Sequence, residues 1–215
     1  MRPRPAGAVS ASTLLDVIVI LAAVAVAFAI YADRRDDSVR LARPDWEALL
    51  RSDLAIGPSD AKVRVVEFVD YQCPMCFVAE GVLSDLASEH PAAIQRIIRH
   101  FPLTRIHPRA DSAAAAALCA AEQGAFRVMH EALFAHRELV ERGMWDSLVV
   151  IAAVENRARF SACFTSDEVR RRVAADFELG RRLGVNSTPT LVINRELLRS
   201  VDPVKLRVSL LGRVD

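Results

Sequence analysis

Lysine is nearly absent from this chain. Of 28 basic residues only Lys62 and Lys205 are lysines, and the rest are arginines. With 27 acidic residues the formal net charge is +1. A balance so close to zero argues against a nucleic-acid binder, which usually shows a basic face. Alanine is also abundant, so the arginine excess reads as a genomic bias. Arg170-Arg171-Arg172 and Arg181-Arg182 read as solvated helix faces. Cysteine is sparse, at four residues. Two of them, Cys73 and Cys76, are close together, while Cys119 and Cys163 lie far from that pair and from each other. A zinc site usually needs a second close pair. None of the five histidines falls in a metal-ligand spacing. His107 reads as a residue that caps or packs at a helix start, and His130 and His136 as positions on a surface helix. There is no internal repeat, and no low-complexity tract beyond Ala113 to Ala117.

Apolar residues make up 52% of the chain, and one N-terminal stretch accounts for part of this. Val17 to Ala32 carries no charge, and extended back to Ala6 the run holds only Asp16. A membrane helix needs about 20 apolar residues, so the run is just long enough if its ends snorkel or it tilts. Arg2 and Arg4 precede it, which places its start in the cytoplasm and the rest of the chain outside. The expectation is an uncleaved single-pass anchor over residues 1–32. The alternative is a signal peptide cleaved near Ala27-Phe28-Ala29. Either way the functional part lies in an extracytoplasmic space, where disulfides persist.

Residues 33–56 read as a linker with a short helix around Pro44 to Leu50. Gly57-Pro58-Ser59-Asp60 is a turn signal that opens a compact domain. Val63 to Val69 reads as a buried strand and Cys73 to Glu89 as a helix, ended by His90-Pro91. Ile94 to Phe101 is a second strand, with Ile97 and Ile98 buried and Arg96 and Arg99 more exposed. Helices follow over Ser112 to Gln123, Phe126 to His136, Met144 to Val154 and Arg159 to Phe164. Thr165 or Ser166 then caps a helix over Asp167 to Leu183. Thr190 to Asn194 is a strand, Leu197 to Val201 its hairpin partner, and Asp202-Pro203 starts a last helix that ends near Leu211. The order β-α-β, helices, α-β-β-α predicts an α/β fold with a parallel β-α-β unit. Residues 57–104 and 165–215 would form its sheet-containing part, with 105–164 as an inserted helical subdomain.

Val65-Val66-Glu67-Phe68-Val69-Asp70-Tyr71-Gln72-Cys73-Pro74-Met75-Cys76 carries the chemistry. An apolar strand ends in a polar turn, and proline, favoured at the first helical position, follows the first cysteine. The dithiol therefore sits at a helix N-terminus. Free N–H groups and the positive end of the helix dipole favour a thiolate there. Cys73, at the tip, reads as the attacking thiol. Cys76, one turn in, reads as the resolving thiol that releases the mixed disulfide. The competing readings of the pair are a zinc half-site and a structural bridge.

This stretch resembles the DsbA-like branch of the thioredoxin superfamily. So do His107-Pro108-Arg109-Ala110, Leu118-Cys119-Ala120-Ala121-Glu122-Gln123-Gly124-Ala125-Phe126 and Gly184-Val185-Asn186-Ser187-Thr188-Pro189-Thr190. The resemblance covers Gly57 to about Leu211. It implies a thioredoxin-like fold with a helical insertion and a cis peptide between Thr188 and Pro189. That peptide would face the dithiol and leave a backbone edge free for an extended substrate. It implies that Glu67 is a buried acid beneath Cys76 that moves the Cys76 proton; by strand alternation alone Glu67 could face solvent. It also implies a second disulfide, Cys119 to Cys163, with two free thiols or a second redox pair as alternatives. DsbA carries histidine in its dithiol loop. Met75 can neither carry charge nor hydrogen-bond comparably, which predicts a less depressed Cys73 pKa and a less oxidising couple. Arg195, where many relatives have glycine, would change only a hairpin turn.

The function expected is thiol–disulfide exchange in exported proteins, run as an oxidase. A quinone-linked membrane partner of the DsbB or VKOR kind would reoxidise the dithiol. No cofactor and no metal are called for. Two alternatives are a reductase or isomerase, as in cytochrome maturation or sulfur metabolism, and a non-catalytic chaperone on a thioredoxin scaffold. The sequence shows no separate dimerisation domain, which weighs against a dimeric isomerase of the DsbC type.

Overall fold

The computed structural model describes residues 16–26, 38–199 and 202–214. The chain divides into two units, one up to Asp37 and one from Ser38 onward. In the first, residues 16–26 form helix α1, whose side chains are exposed. Among the described residues no helix is long and apolar enough to cross a membrane. The remainder of the expected anchor, and the candidate cleavage site, lie outside the described residues.

The second unit is built on a sheet of six strands in the order β1-β6-β5-β3-β4-β2. At its centre β3 (Val63–Val69) and β4 (Ile94–His100) run parallel, from Val63 opposite Ile94 to Val69 opposite His100. Helix α3 (Pro74–Glu89) makes the crossover between them. β5 (Thr190–Ile193) lies antiparallel on the other side of β3, and β6 (Glu196–Leu198) follows as its hairpin partner; residues 200 and 201 of the expected strand lie outside the described residues. The turn holds Asn194 at φ 46° and Arg195 at φ 81°. Such hairpins favour Asn-Gly, because both central residues take positive φ. Arg195 occupies the glycine position, and its guanidinium bonds the Leu41 carbonyl at 2.8 Å and 3.1 Å.

The presumed linker holds more structure than one short helix. Ser38–Arg40 forms β1, an edge strand paired with β6. Arg43–Leu50 forms α2, which buries Leu49, and Ala55–Ile56 forms β2, which closes the other edge against β4. Between β4 and the next strand lie five short helices and one long one. They are α4 (Ala110–Ala121), α5 (Phe126–Ala135), α6 (Arg137–Arg142), α7 (Trp145–Ile151), α8 (Arg157–Phe164) and α9 (Asp167–Arg182). Helix α10 (Pro203–Val214) closes the chain. Ser166 caps α9, its side chain accepting from the Val169 N–H at 3.2 Å.

Strand alternation sorts the core. On one face Val63 and Val65 pack with Leu83, Leu86, Leu206 and Leu210 of α3 and α10. On the other, Val66 and Phe68 pack with Leu49, Ile97 and Phe101. A third cluster joins Tyr71 and both cysteines to α4, α5 and α7. In α4 the residues Ala113 to Ala117 are all buried.

Three residues sit deeper than the sequence predicts. Arg96 and Arg99 are buried, at 2% and 9% exposure, and His130 is fully enclosed at 0%. Each has found a partner outside its own element. Arg99 bonds Asp176 of α9 at 2.7 Å and three carbonyls at the end of α2. The partners of Arg96 and His130 belong to the site.

Candidate active site

The site forms where β3 runs into α3. Cys73 is the residue before the helix, in extended conformation at φ −70° and ψ 121°, and Pro74 takes the first helical position. The Cys73 N–H donates to the Asp70 carbonyl at 3.0 Å, and its own carbonyl accepts from the Phe77 N–H at 3.2 Å. Neither thiol stands free at the tip. Cys73 is 6% exposed and Cys76 2%. Both are reduced.

The structure brings Thr188 and Pro189 to the dithiol. The Thr188–Pro189 peptide is cis, and the Cys73 thiol donates to the Thr188 carbonyl at 3.3 Å. The Thr188 hydroxyl is buried without another partner, which leaves it free to donate to a Cys73 thiolate. The two thiols are unequal. A hydrogen bond from Cys76 does most to lower the Cys73 pKa to about 5, against the opposing effect of burial. The Thr188 side chain and the N–H groups of Cys76 and Met75 add to the lowering. Burial and the neighbouring Cys73 push Cys76 well above the ordinary thiol value. At neutral pH the pair is one thiolate and one thiol, the division of labour that exchange requires.

Glu67 is buried on the α3 face of β3, and not directed to solvent. Both its oxygens are taken by Arg96, at 2.6 Å to Nε and 3.0 Å to Nη2. Among the described residues no hydrogen bond joins it to either cysteine. Arg96 also binds Glu80 through both terminal nitrogens. Glu80 accepts from His130 Nε2 at 3.0 Å, and His130 Nδ1 meets the Tyr71 hydroxyl at 3.0 Å. Burial works to raise the Glu80 pKa, but His130 and Arg96 outweigh it and hold the carboxylate at about 2. Burial likewise opposes the Arg96 charge, and the two carboxylates overcome it. Five buried polar side chains from β3, the dithiol turn, α3, β4 and α5 thus form one connected array. Glu80 lies four residues after Cys76, on the same helix face, and that spacing could have revealed it. His130 gave no such signal.

Met75 and Phe77 point outward, 45% and 46% exposed. The Arg137 guanidinium at the start of α6 lies 5.8 Å from the Phe77 ring centre and donates to the Gln72 carbonyl at 3.2 Å. His107 does not merely pack at a helix start. It reaches back to Asp70 beneath the dithiol turn, with Nδ1 2.8 Å from the carboxylate. Cys119 of α4 and Cys163 of α8 are joined in a disulfide with Cα atoms 5.7 Å apart. Among the described residues no cluster of His, Cys, Asp and Glu could hold a metal ion.

Residues 50–209 match the family model described as thioredoxin. Among curated proteins the chain is similar to a Na(+)/H(+) antiporter, NhaA 3, of Salinispora tropica. The two are 36% identical over 139 residues, which is 64% of this chain and 21% of the antiporter. The chain thus spans about a fifth of that relative's length. Among solved structures it resembles a thioredoxin-like oxidoreductase from Silicibacter pomeroyi, with TM-score 0.64 and 26% identity over 80% of this chain and 97% of the other. It also resembles the catalytic domain of Proteus mirabilis ScsC, with TM-score 0.65 and 24% identity over 78% and 94%. A dithiol at the N-terminus of α3, beside a cis-proline that leads into the neighbouring strand β5, agrees with these likenesses, and the chain belongs to the thioredoxin family, with the fold of its DsbA-like thiol–disulfide oxidoreductases.

Proposed function

We propose that the protein is an extracytoplasmic thiol–disulfide oxidase acting on exported proteins. The observation that carries this reading is a dithiol at the N-terminus of α3 set against the cis Thr188–Pro189 peptide, where the Cys73 pKa is lowered to about 5. Stabilising the Cys73 thiolate stabilises the reduced enzyme, which makes its disulfide the stronger oxidant. The value lies between those typical of thioredoxin, about 7, and DsbA, about 3.5. It fits a loop in which Met75 supplies no charge, and the Cys76 thiol, the Thr188 side chain and the helix N–H groups stabilise the thiolate.

In the forward reaction a substrate thiolate attacks Cys73 Sγ of the Cys73–Cys76 disulfide, and Cys76 leaves as the thiolate and takes up a proton. A second substrate thiolate then attacks the substrate sulfur of the mixed disulfide and releases Cys73. The substrate loses two electrons and two protons, and the enzyme becomes a dithiol. Pro189 and Thr188 would hold the substrate backbone beside the sulfurs, and the exposed Met75 and Phe77 would meet its apolar side chains. A quinone-linked membrane protein would return the enzyme to its disulfide. Glu67 would exchange the Cys76 proton, which requires Arg96 to release one of its two bonds. Replacing Glu67 with Gln should then slow formation of the mixed disulfide, the step in which Cys76 leaves and takes up a proton, and change its pH profile, and an unaltered profile removes that role.

The Cys119–Cys163 disulfide suits an oxidising compartment. The uncharged Val17 to Ala32 run supports a membrane anchor there. Residues 57–104 and 165–215 would form the thioredoxin-like part and 105–164 the insertion. Two measurements test the reading. Equilibration with glutathione should give a potential between those of thioredoxin and DsbA, about −270 and −120 mV. A result at the thioredoxin end sinks the oxidase assignment. The Cys76→Ser variant should accumulate mixed disulfides through Cys73, and none would appear if the protein were a binding module.

A further inference from the structure

The turn before Cys73 is held from outside the α3 helix, by groups with no direct part in exchange. The Asp70 side chain is 0% exposed. Its Oδ1 accepts from the Gln72 N–H at 2.9 Å, and its Oδ2 from the Leu103 N–H at 2.8 Å. His107 Nδ1 lies 2.8 Å from the same Oδ2. A carboxylate only accepts, so Nδ1 carries the hydrogen. Two further bonds reinforce the hold. Gln72 Oε1 accepts from the Arg109 N–H at 2.5 Å, and the Asp70 carbonyl accepts from Cys73 itself at 3.0 Å. Asp70 therefore ties three stretches together: the end of β3, the dithiol turn and the loop between β4 and α4. A slack turn would let the first residue of the active-site helix swing, and the Cys73 sulfur with it.

We infer that Asp70 and His107 are positioning residues of the dithiol, whose hydrogen bond fixes the Cys73 sulfur over the N–H groups of Met75 and Cys76. The inference deepens the oxidoreductase reading and rests on it. The low Cys73 pKa is the property such a clamp would protect, since each unit of rise cuts the thiolate fraction below that pKa about tenfold.

The test uses the full chain in reduced form. It measures the rate of mixed-disulfide formation with glutathione disulfide from pH 4 to pH 9. In His107→Leu the donor is gone. In His107→Asn the amide nitrogen takes the place of Nδ1. His107→Leu should react about tenfold or more slowly at pH 6 and recover at high pH, where any thiol ionises. His107→Asn should stay within about threefold of the natural protein across the range. Asp70→Asn should follow His107→Leu. A folded His107→Leu with the natural pH profile overturns the inference, and so does a His107→Asn as slow as His107→Leu. If His107→Leu fails to fold, His107→Gln replaces it, because its longer amide overshoots the Nδ1 position. If the natural protein fails to react with glutathione disulfide at all, the oxidoreductase reading falls instead.

Discussion

At the scale of single residues, the site turns on how two sulfurs and two buried carboxylates are charged. The Cys73 pKa of about 5 lies below the ordinary thiol value, near 8.5. A depressed group stabilises the folded protein fully above its ordinary value, and the contribution is lost as pH falls through the folded one. Only the reduced form has this thiol. Its denaturation midpoint should therefore rise, relative to that of the oxidised form, between pH 5 and pH 8. Cys76 shifts the other way and so acts only above that window. Ultraviolet absorbance of the thiolate should titrate near pH 5 in the natural protein and at a higher pH in Cys76→Ala, because the side chain that donates to Cys73 is gone. Arg96 poses a different question. It is the only base bonded to Glu67 and one of two bonded to Glu80 among the described residues. Replacing it with Met leaves buried carboxylates without their counter-charge, which should cost about 3–5 kcal/mol in urea unfolding.

At the scale of elements, the parts that could be read from the sequence were those whose cause is local. The β-branched run of β3, the proline that starts α3 and the serine that caps α9 each act over a few residues. β1 and β2 could not be read in this way. Three residues and two residues carry no pattern, and they are strands only because β6 and β4 offer them free edges. Arg96 and Arg99 misled for a related reason. A charge in a strand suggests solvent, but both faces of β4 are covered, and the compensating charges come from β3, α3 and α9. His130 is the same case on a helix. The cysteine pair and its turn announced the site, while the Asp70–His107 clamp links residues 37 positions apart and needed the fold to appear. One element-scale contact invites a direct test. A Cβ at Gly180 of α9 would stand 2.8 Å from ring carbons of both Phe68 and Phe101. Gly180→Ala should gain up to about 1 kcal/mol in helix propensity and lose about 1–3 kcal/mol to overpacking. A lowered thermal midpoint is the expected net result.

At the scale of the whole molecule, the helices that follow β4 are secured by the Cys119–Cys163 bridge, which spans 44 positions. In the chain-entropy account a loop of that size contributes about 4 kcal/mol. The Cys119→Ala, Cys163→Ala double variant should lose about 3–4 kcal/mol in denaturant unfolding while retaining mixed-disulfide formation through Cys73. The bridge starts from α4, and the buried alanines of that helix bear on how the protein can evolve. With Ala113 to Ala117 all enclosed, α4 is a rod with almost no side-chain thickness, and its neighbours approach nearly to its backbone. Nearly every substitution along it adds volume where there is none to spare, and glycine, which adds none, weakens the helix. The outer face of α9 can drift freely in sequence, whereas this stretch has little room to vary and would resist change across lineages even though it touches no substrate.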